Sequence, residues 1–331
     1  DPLGNTIRYS YDQKGNLISK TDAEGRLISF AYDPLNRLTR KNYPDGGFDA
    51  FTYDSNGRII SASNQYISYT LSYDATGRIT QATDSRGYTV RYRYDLAGNR
   101  TNLTYPDGGS VTYSYDTANR LSSMTDWMGR NVTFSYDNVG RRIGLSLPNG
   151  TKASYSYDQA SRLIDLSHKT GSGSIIDSFS YTYDPIGNRL SVNIPEEKIN
   201  YAYDLLDRLI QATPTKLPGT DIEMLHKAED FTYDLVGNRI GGPDAIDNYT
   251  YNVGNQLVSD RKNQYQYDHN GNLISKTETD DDGSTKTWTY SYDAENRLIK
   301  VIKQEATGTK TITFKYDPFG RRIEKKVEGI E

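Results

Sequence analysis

The dipeptide Tyr-Asp recurs along the whole chain, at Tyr11, Tyr32, Tyr53, Tyr73, Tyr94, Tyr115, Tyr136, Tyr157, Tyr183, Tyr203, Tyr233, Tyr267, Tyr292 and Tyr316, with a degenerate copy at Tyr251-Asn252. The first eight are separated by 21, 21, 20, 21, 21, 21 and 21 residues, and later spacings range from 16 to 30. A fixed period of this size signals one supersecondary unit stacked on copies of itself. Length alone suggests two domains. The repeat instead predicts a single array over residues 1–331, about 15 copies long.

Each copy carries the same local instructions. Two residues before the marker tyrosine stands an aromatic or Leu, as in Tyr9, Phe30, Phe51, Leu71, Tyr92 and Phe134, and the residue between is small or polar. Four residues before it an apolar β-former often appears, for example Ile7, Ile28, Val90, Val111, Val132, Ile199, Trp288 and Ile312. This period-2 alternation predicts a half-buried strand. After the tyrosine come Asp, two variable residues, then Gly or Asn in thirteen of fifteen copies, with Ser161 and Asp207 departing. That is the signature of a type I turn closed by a bulge, whose last residue needs positive φ. The Asp is read as the turn residue that accepts backbone N–H bonds, and Pro34, Pro185 and Pro318 fit the second turn position. The repeat markers are therefore Tyr11, Asp12 and Gly15, then Tyr53, Asp54 and Gly57, then Tyr94, Asp95 and Gly98, then Tyr136, Asp137 and Gly140. A return strand opens with pairs such as Arg37-Leu38 and Arg120-Leu121, and a second turn follows, as at Asp22–Gly25, Pro44–Gly47 and Asp126–Gly129. One repeat is one hairpin, so the array predicts about thirty short antiparallel strands.

Composition decides whether such an array can fold. Leu, Ile, Val and Phe together number 65 of 331 residues, close to the disordered class, but the net charge is only −4 and there are 29 Tyr. Tyrosine is expected to do the packing, in ladders of rings across neighbouring strands. So many strands cannot remain flat, because twist accumulates, and a curved, spiralling antiparallel sheet is expected. There is no Cys, hence no disulfide frame or thiolate metal site. No run approaches a membrane helix, and the near-neutral charge offers no footprint for nucleic acid.

The repeated Tyr-Asp-x-x-Gly-(Asn/Arg) unit resembles the YD repeat of the Rhs family, shared with Tc toxin shell components, bacterial wall-associated proteins and teneurins. The resemblance covers essentially the whole chain. It implies an all-β fold, a partial hollow shell of tandem hairpins. In bacterial members it implies a wall around a C-terminal toxin or effector, freed by a self-cleaving core region; in teneurins, a cell-surface adhesion role. The implied partners are the rest of the parent polypeptide: remaining shell repeats, core-associated region and C-terminal effector. The implied localisation is secreted or cell surface, in bacteria. Asp1-Pro2-Leu3-Gly4-Asn5 reads as a repeat turn without its tyrosine, and no core segment follows Arg321-Arg322, so the chain reads as a fragment.

Chemistry outside the repeat is sparse. His168, His226 and His269 are expected on surface loops, and Asp280-Asp281-Asp282-Gly283 at a solvated hairpin tip without the alternation of a calcium loop. Asn102, Asn131, Asn149 and Asn248 match glycan acceptor sequons. The longest interruption is a loop insertion at 213–229, holding Pro214, Pro218 and Ile222–His226, either a plain loop or a short helix. No nucleophile elbow, phosphate loop or zinc pattern is present. The reading is a structural shell segment with no catalysis, cofactor or metal, no membrane insertion and no nucleic-acid partner. The alternative is an extracellular glycan-binding or adhesion surface, with Trp127 and Trp288 stacking on sugars. A glycan-cleaving carboxylate pair is a third reading. Self-association through sheet edges is an expected hazard.

Overall fold

A computed structural model describes residues 1–218, 226–242, 249–306 and 308–329. Among them thirty-one strands and no helix are found. Strands that pair are neighbours in sequence and antiparallel. The chain forms two compact units, residues 1–89 with 248–331, and residues 90–247. In the first, hairpins run consecutively from Arg8–Tyr11 to Ile79–Asp84, and again from Thr250–Tyr251 to Arg322–Gly329. In the second they run from Arg100–Thr104 to Glu229–Asp230, followed by the short pair Thr232–Tyr233 and Arg239–Gly241.

The period-2 pattern becomes alternating burial along many strands. In the strand Phe48–Tyr53, Phe51 is buried, Thr52 is exposed and Tyr53 is half-buried. Ile28, Val111 and Ala153, each four residues before a marker tyrosine, and Val192, paired with Tyr181, are almost fully buried.

Each repeat turn has the expected bulge. Register slips by one residue at the marker tyrosine, as between Ser10 and Tyr11 and between Ser135 and Tyr136. Gly57 N–H donates to the Asp54 carbonyl at 3.1 Å, and Asp54 N–H to the Arg58 carbonyl at 3.0 Å. The fourth turn residue is left-handed, with φ near 81° at Gly57 and 92° at Gly140. Ser161 and Asp207, which lack the Gly or Asn of other copies, adopt it as well, at 63° and 59°.

Two expectations are refined. The segment Asp1–Asn5 has the capped-turn geometry of a repeat turn, with Asn5 N–H on Asp1 Oδ1 at 2.8 Å. It lies ten residues before Tyr11, however, as Asp22 lies ten before Tyr32, so it occupies a second-turn position. Within the 213–229 insertion, residues 213–216 continue the strand Leu209–Lys216, with Pro214 opposite Ile199. The Ile222–Leu225 stretch lies outside the described residues, as does the Asn248 sequon.

Candidate functional site

The repeat turn is a closed polar cluster. Asp54 Oδ1 accepts the N–H groups of Asn56 and Arg58, both at 2.9 Å, while Oδ2 accepts Arg58 Nε at 2.6 Å. The same arrangement recurs at Asp33, Asp116, Asp137, Asp204, Asp293 and Asp317. Backbone N–H groups aimed at the carboxylate, joined by the arginine, hold Asp54, Asp116 and Asp204 below the usual carboxylate range despite opposing desolvation. At Asp12 and Asp95 an asparagine, Asn16 or Asn99, takes the place of arginine.

In most repeats the marker hydroxyl is turned back onto the chain. Tyr53 donates to the Leu38 carbonyl at 2.7 Å and Tyr136 to the Leu121 carbonyl at 2.9 Å, each one repeat back. The bulge leaves that carbonyl free, so the phenol fills a vacancy the turn creates. The expected ladder of ring on ring is corrected by the structure. Close ring pairs among the described residues are Phe51–Phe319, Tyr69–Phe319, Tyr105–Trp127 and Phe179–Tyr181, none between consecutive markers. Between markers lies the arginine of the preceding turn. The Arg37 guanidinium stands 4.8 Å from the Tyr53 ring centre, Arg120 4.8 Å from Tyr136 and Arg141 5.0 Å from Tyr157.

These contacts impose a neighbour rule that the sequence also displays. An arginine at the fifth turn position reaches over the next turn to its Asp carbonyl, as Arg37 Nη1 reaches Asp54 O and Arg120 Nη1 reaches Asp137 O, both at 2.9 Å. The next left-handed residue is then Gly57 or Gly140, leaving room, or Ser161, whose hydroxyl meets Arg141 at 3.3 Å. Asparagine is shorter and needs an acceptor brought to it. Asn16, Asn99, Asn188 and Asn272 are followed by Asn36, Asn119, Asp207 and Asn296, whose side-chain oxygens they contact at 3.1, 3.0, 3.0 and 2.9 Å.

In the first unit this grammar joins segments far apart in sequence. The second turns of the first repeats sit between the repeat turns of the last ones. Asn270 Nδ2 donates to Asp22 Oδ2 at 2.8 Å, and Arg26 Nη1 donates to the Asp293 carbonyl at 2.9 Å. Farther along, Asn64 Nδ2 donates to the Tyr316 carbonyl at 2.9 Å, and the Phe319 ring lies 6.2 Å from Phe51 and 6.0 Å from Tyr69. Within this seam lies a buried polar group. Tyr43 donates to Asp49 Oδ2 at 2.6 Å, and Lys41, paired across the strands with Asp49, reaches Glu295 Oε1 at 2.6 Å. Asp49 is only 1% exposed. Burial pushes its carboxyl upward, against the Tyr43 hydrogen bond and Lys41. Burial and the Asp49 contact also raise the Tyr43 phenol. Burial alone would raise Glu295, but Lys41, with Arg297 and Tyr43, holds its carboxyl below the usual range. A cavity of about 320 Å³ adjoins the group, lined by Tyr43, Asp49, Arg297, Lys300, Phe314 and Tyr316 among others.

Asp49 and its neighbours do not follow from the repeat pattern, but Asp49 breaks it visibly. It stands four residues before Tyr53, where Ile28, Val111 and Val132 stand in other copies. The marker positions serve the turns: Gly15, Gly57, Gly98 and Gly140 have positive φ, Asp12, Asp54, Asp95 and Asp137 cap, and Tyr11 is the exposed outermost ring. His269 lies on a repeat turn against Glu24, and exposed His226 contacts the buried Glu197. His168 departs from expectation: it is half-buried in the strand Leu163–Lys169. Asp280 pairs with Lys286 at 2.8 Å. Trp288 is flanked by Lys276 and Lys303, at 5.0 and 5.5 Å from its ring, so its faces are occupied by lysines. No group of three or more metal-ligating side chains occurs among the described residues.

Comparison with known proteins fits this architecture. The family model Teneurin YD-shell matches residues 50–223 and 196–330, and RHS Repeat matches 1–27, 11–47 and 32–64. Double-stranded DNA deaminase toxin A of Burkholderia cenocepacia is 29% identical over 167 residues, 43% of this chain and 11% of that protein. The tRNA nuclease WapA of Bacillus subtilis is 35% identical over 133 residues, 38% of this chain and 5% of that protein. Probable deoxyribonuclease RhsA of Dickeya dadantii is 28% identical over 148 residues, 45% of this chain and 10% of that protein. Among solved structures, TcdB2-TccC3 without its hypervariable C-terminal region superposes with a TM-score of 0.67 at 17% identity, covering 94% of this chain and 20% of that one. These alignments span about a tenth or less of the curated relatives.

Proposed function

The chain belongs to the teneurin YD-shell family, and we propose that this segment of YD-shell wall encloses a C-terminal toxin or effector of its parent protein. One observation carries the reading. The relatives are named for different chemistries, a deaminase, a tRNA nuclease and a deoxyribonuclease, yet each aligns with a stretch of this repeat array. What they share with this chain is repeat sequence, which here folds into capped turns, and a common wall supports containment rather than any one reaction. In this reading the segment contributes no catalysis, and its partners are the remaining shell repeats and the effector. The parent works outside the cell that makes it.

The wall's chemistry suits that task. Turn carboxylates and marker phenols are spent on the chain's own backbone, as at Asp54 and Tyr53. Limited proteolysis of the purified parent tests the proposal. The effector segment should resist protease while it is held in the native parent and be digested once the wall is unfolded. An effector cut equally fast in both states contradicts containment. Deaminase or nuclease turnover by residues 1–331 alone would contradict the non-catalytic part.

A further inference from the structure

Among the described residues, one second turn that is covered in the first unit has an exposed counterpart in the second, where the Trp127 ring meets only Tyr105 edge-on at 5.8 Å. The turn Asp126-Trp127-Met128-Gly129-Arg130 has the same build as Asp22-Ala23-Glu24-Gly25-Arg26. Arg130 N–H, Nε and Nη2 bind Asp126 at 3.0, 2.7 and 2.6 Å; Arg26 N–H and Nε bind Asp22 at 2.8 and 2.7 Å, and its two terminal nitrogens are turned to the seam, so Arg130 must release Nη2 to do the same. Their surroundings differ. The Arg26 and Asp22 side chains are 22% and 3% exposed, those of Arg130 and Asp126 55% and 20%. Trp127 and Met128 are more than half exposed, where Ala23 and Glu24 meet Asn270 and His269.

The seat that takes Arg26 has a recognisable composition. It is an Asp carbonyl following an asparagine-type turn, beside a left-handed residue whose side-chain oxygen already holds that asparagine. Asp293 and Asn296, preceded by Asn272, are that seat, and Arg26 Nη2 adds a second bond to Asn296 Oδ1 at 3.1 Å. In the second unit Asp204 and Asp207, preceded by Asn188, repeat it: Asn188 Nδ2 meets Asp207 Oδ1 at 3.0 Å, and Asp207 N–H binds the Asp204 carbonyl at 3.0 Å. Here the left-handed residue is a carboxylate, a stronger partner for guanidinium than an amide. The tip of the preceding turn, which faces Ala23 and Glu24 in the seam as His269-Asn270, is Pro185-Ile186 here, with Ile186 72% exposed.

We propose that the Asp126–Arg130 turn docks on the Pro185–Asp207 turn edge of a second copy of this chain. Arg130 enters the Asp204/Asp207 seat, and Trp127 and Met128 cover Ile186. The seam of the first unit is the precedent, and the substitutions on the two faces are matched: polar meets polar there, apolar meets apolar here. Plug and seat lie at opposite ends of the hairpins, so the contact is heterologous and adds copies head to tail. The proposal goes beyond the containment reading and does not depend on what the parent encloses.

Sedimentation equilibrium of residues 1–331 tests it. The average mass should rise steadily with concentration. Trp127→Ser with Arg130→Glu disables the plug, and Ile186→Ser with Asp207→Arg disables the seat. Each double variant alone should be monomeric, and an equimolar mixture should form a dimer and nothing larger, since one intact plug meets one intact seat. The mixed dimer also shows that both variants are folded. A wild-type chain that stays monomeric at its highest soluble concentration overturns the proposal, and so does association that survives in the plug variant.

Discussion

Arg26 Nη1 lies 2.9 Å from the carbonyl oxygen of Asp293, a residue 267 positions further along the chain. Elsewhere that carbonyl is served from within the sheet, as Asp54 O is by Arg37. The turn before Asp293 carries Asn272, which is too short to reach it, so the second turn of an early repeat supplies the guanidinium. The same residue grammar thus builds each hairpin, spaces neighbours and closes the first unit.

Replacing Arg26 with Ala should cost about 1.5–3 kcal/mol, the range for hydrogen bonds to a charged group, and fall toward its lower end because the side chain is partly exposed. Arg26→Lys should recover little, since an ammonium cannot span two carbonyls and Asn296 together. Urea titration reads the loss, and hydrogen exchange should rise at both 22–26 and 292–296. Exchange that rises on one side only would show that the two segments are not coupled through Arg26.

The neighbour rule predicts a coupled pair. Asn99→Arg alone crowds Asn119, and Asn119→Gly alone strips Asn99 of one of its two acceptors, leaving Asp95. The double variant recreates the Arg–Gly pairing seen between Arg120 and Gly140. Each single change should destabilise, and the double should regain about 0.5–3 kcal/mol relative to the sum. Additive losses in the thermodynamic cycle would remove the rule.

The turn carboxylates and Asp49 should respond oppositely to pH. Asp158 is held low by the Arg162 N–H and guanidinium, so its contribution is present above about pH 3.9, the unfolded value, and fades as pH falls below it. Asp158→Asn should flatten the acid limb of the stability profile. Asp49 is pushed upward by burial, so the advantage it gives the fold is full below that value and shrinks as pH rises. Asp49→Asn should therefore match wild type near pH 3 and gain on it toward neutrality. A constant offset at all pH values would mean that Asp49 does not titrate in the seam.

Gly140 has φ of 92° and carries no side chain against Arg120. Gly140→Ala should cost about 1–2 kcal/mol from the left-handed backbone alone. Ser161→Gly should be neutral or slightly stabilising, because it relieves the same strain and loses only the 3.3 Å contact with Arg141. Melting temperatures of the two variants, moving in opposite directions or with Ser161→Gly unmoved, check the assignment. Equal losses at both sites would contradict it.

Much of the hairpin level is legible in the residues because its causes are local. Tyr53, Asp54, Gly57 and Arg58 fall within six positions, and their turn closes on itself. The Asn99–Asn119 and Arg120–Gly140 pairs are legible too, one period apart, although a reading of the markers alone passes over them. The seam is not. Which early turn meets Asp293 depends on how twist accumulates over many strands, and no local propensity encodes that pairing. The expected tyrosine ladder failed for a related reason: at this spacing a guanidinium fits between successive rings and also satisfies the next turn's carbonyl, which a bare ring stack cannot do.

The most direct test of the containment account is the mass of the parent protein under native and denaturing conditions. The account predicts one native particle that resolves, on denaturation, into the repeat-bearing chain and a separate C-terminal segment that had been held without a covalent bond. A single uncleaved chain whose C-terminal segment is open to solvent in the native particle would contradict it.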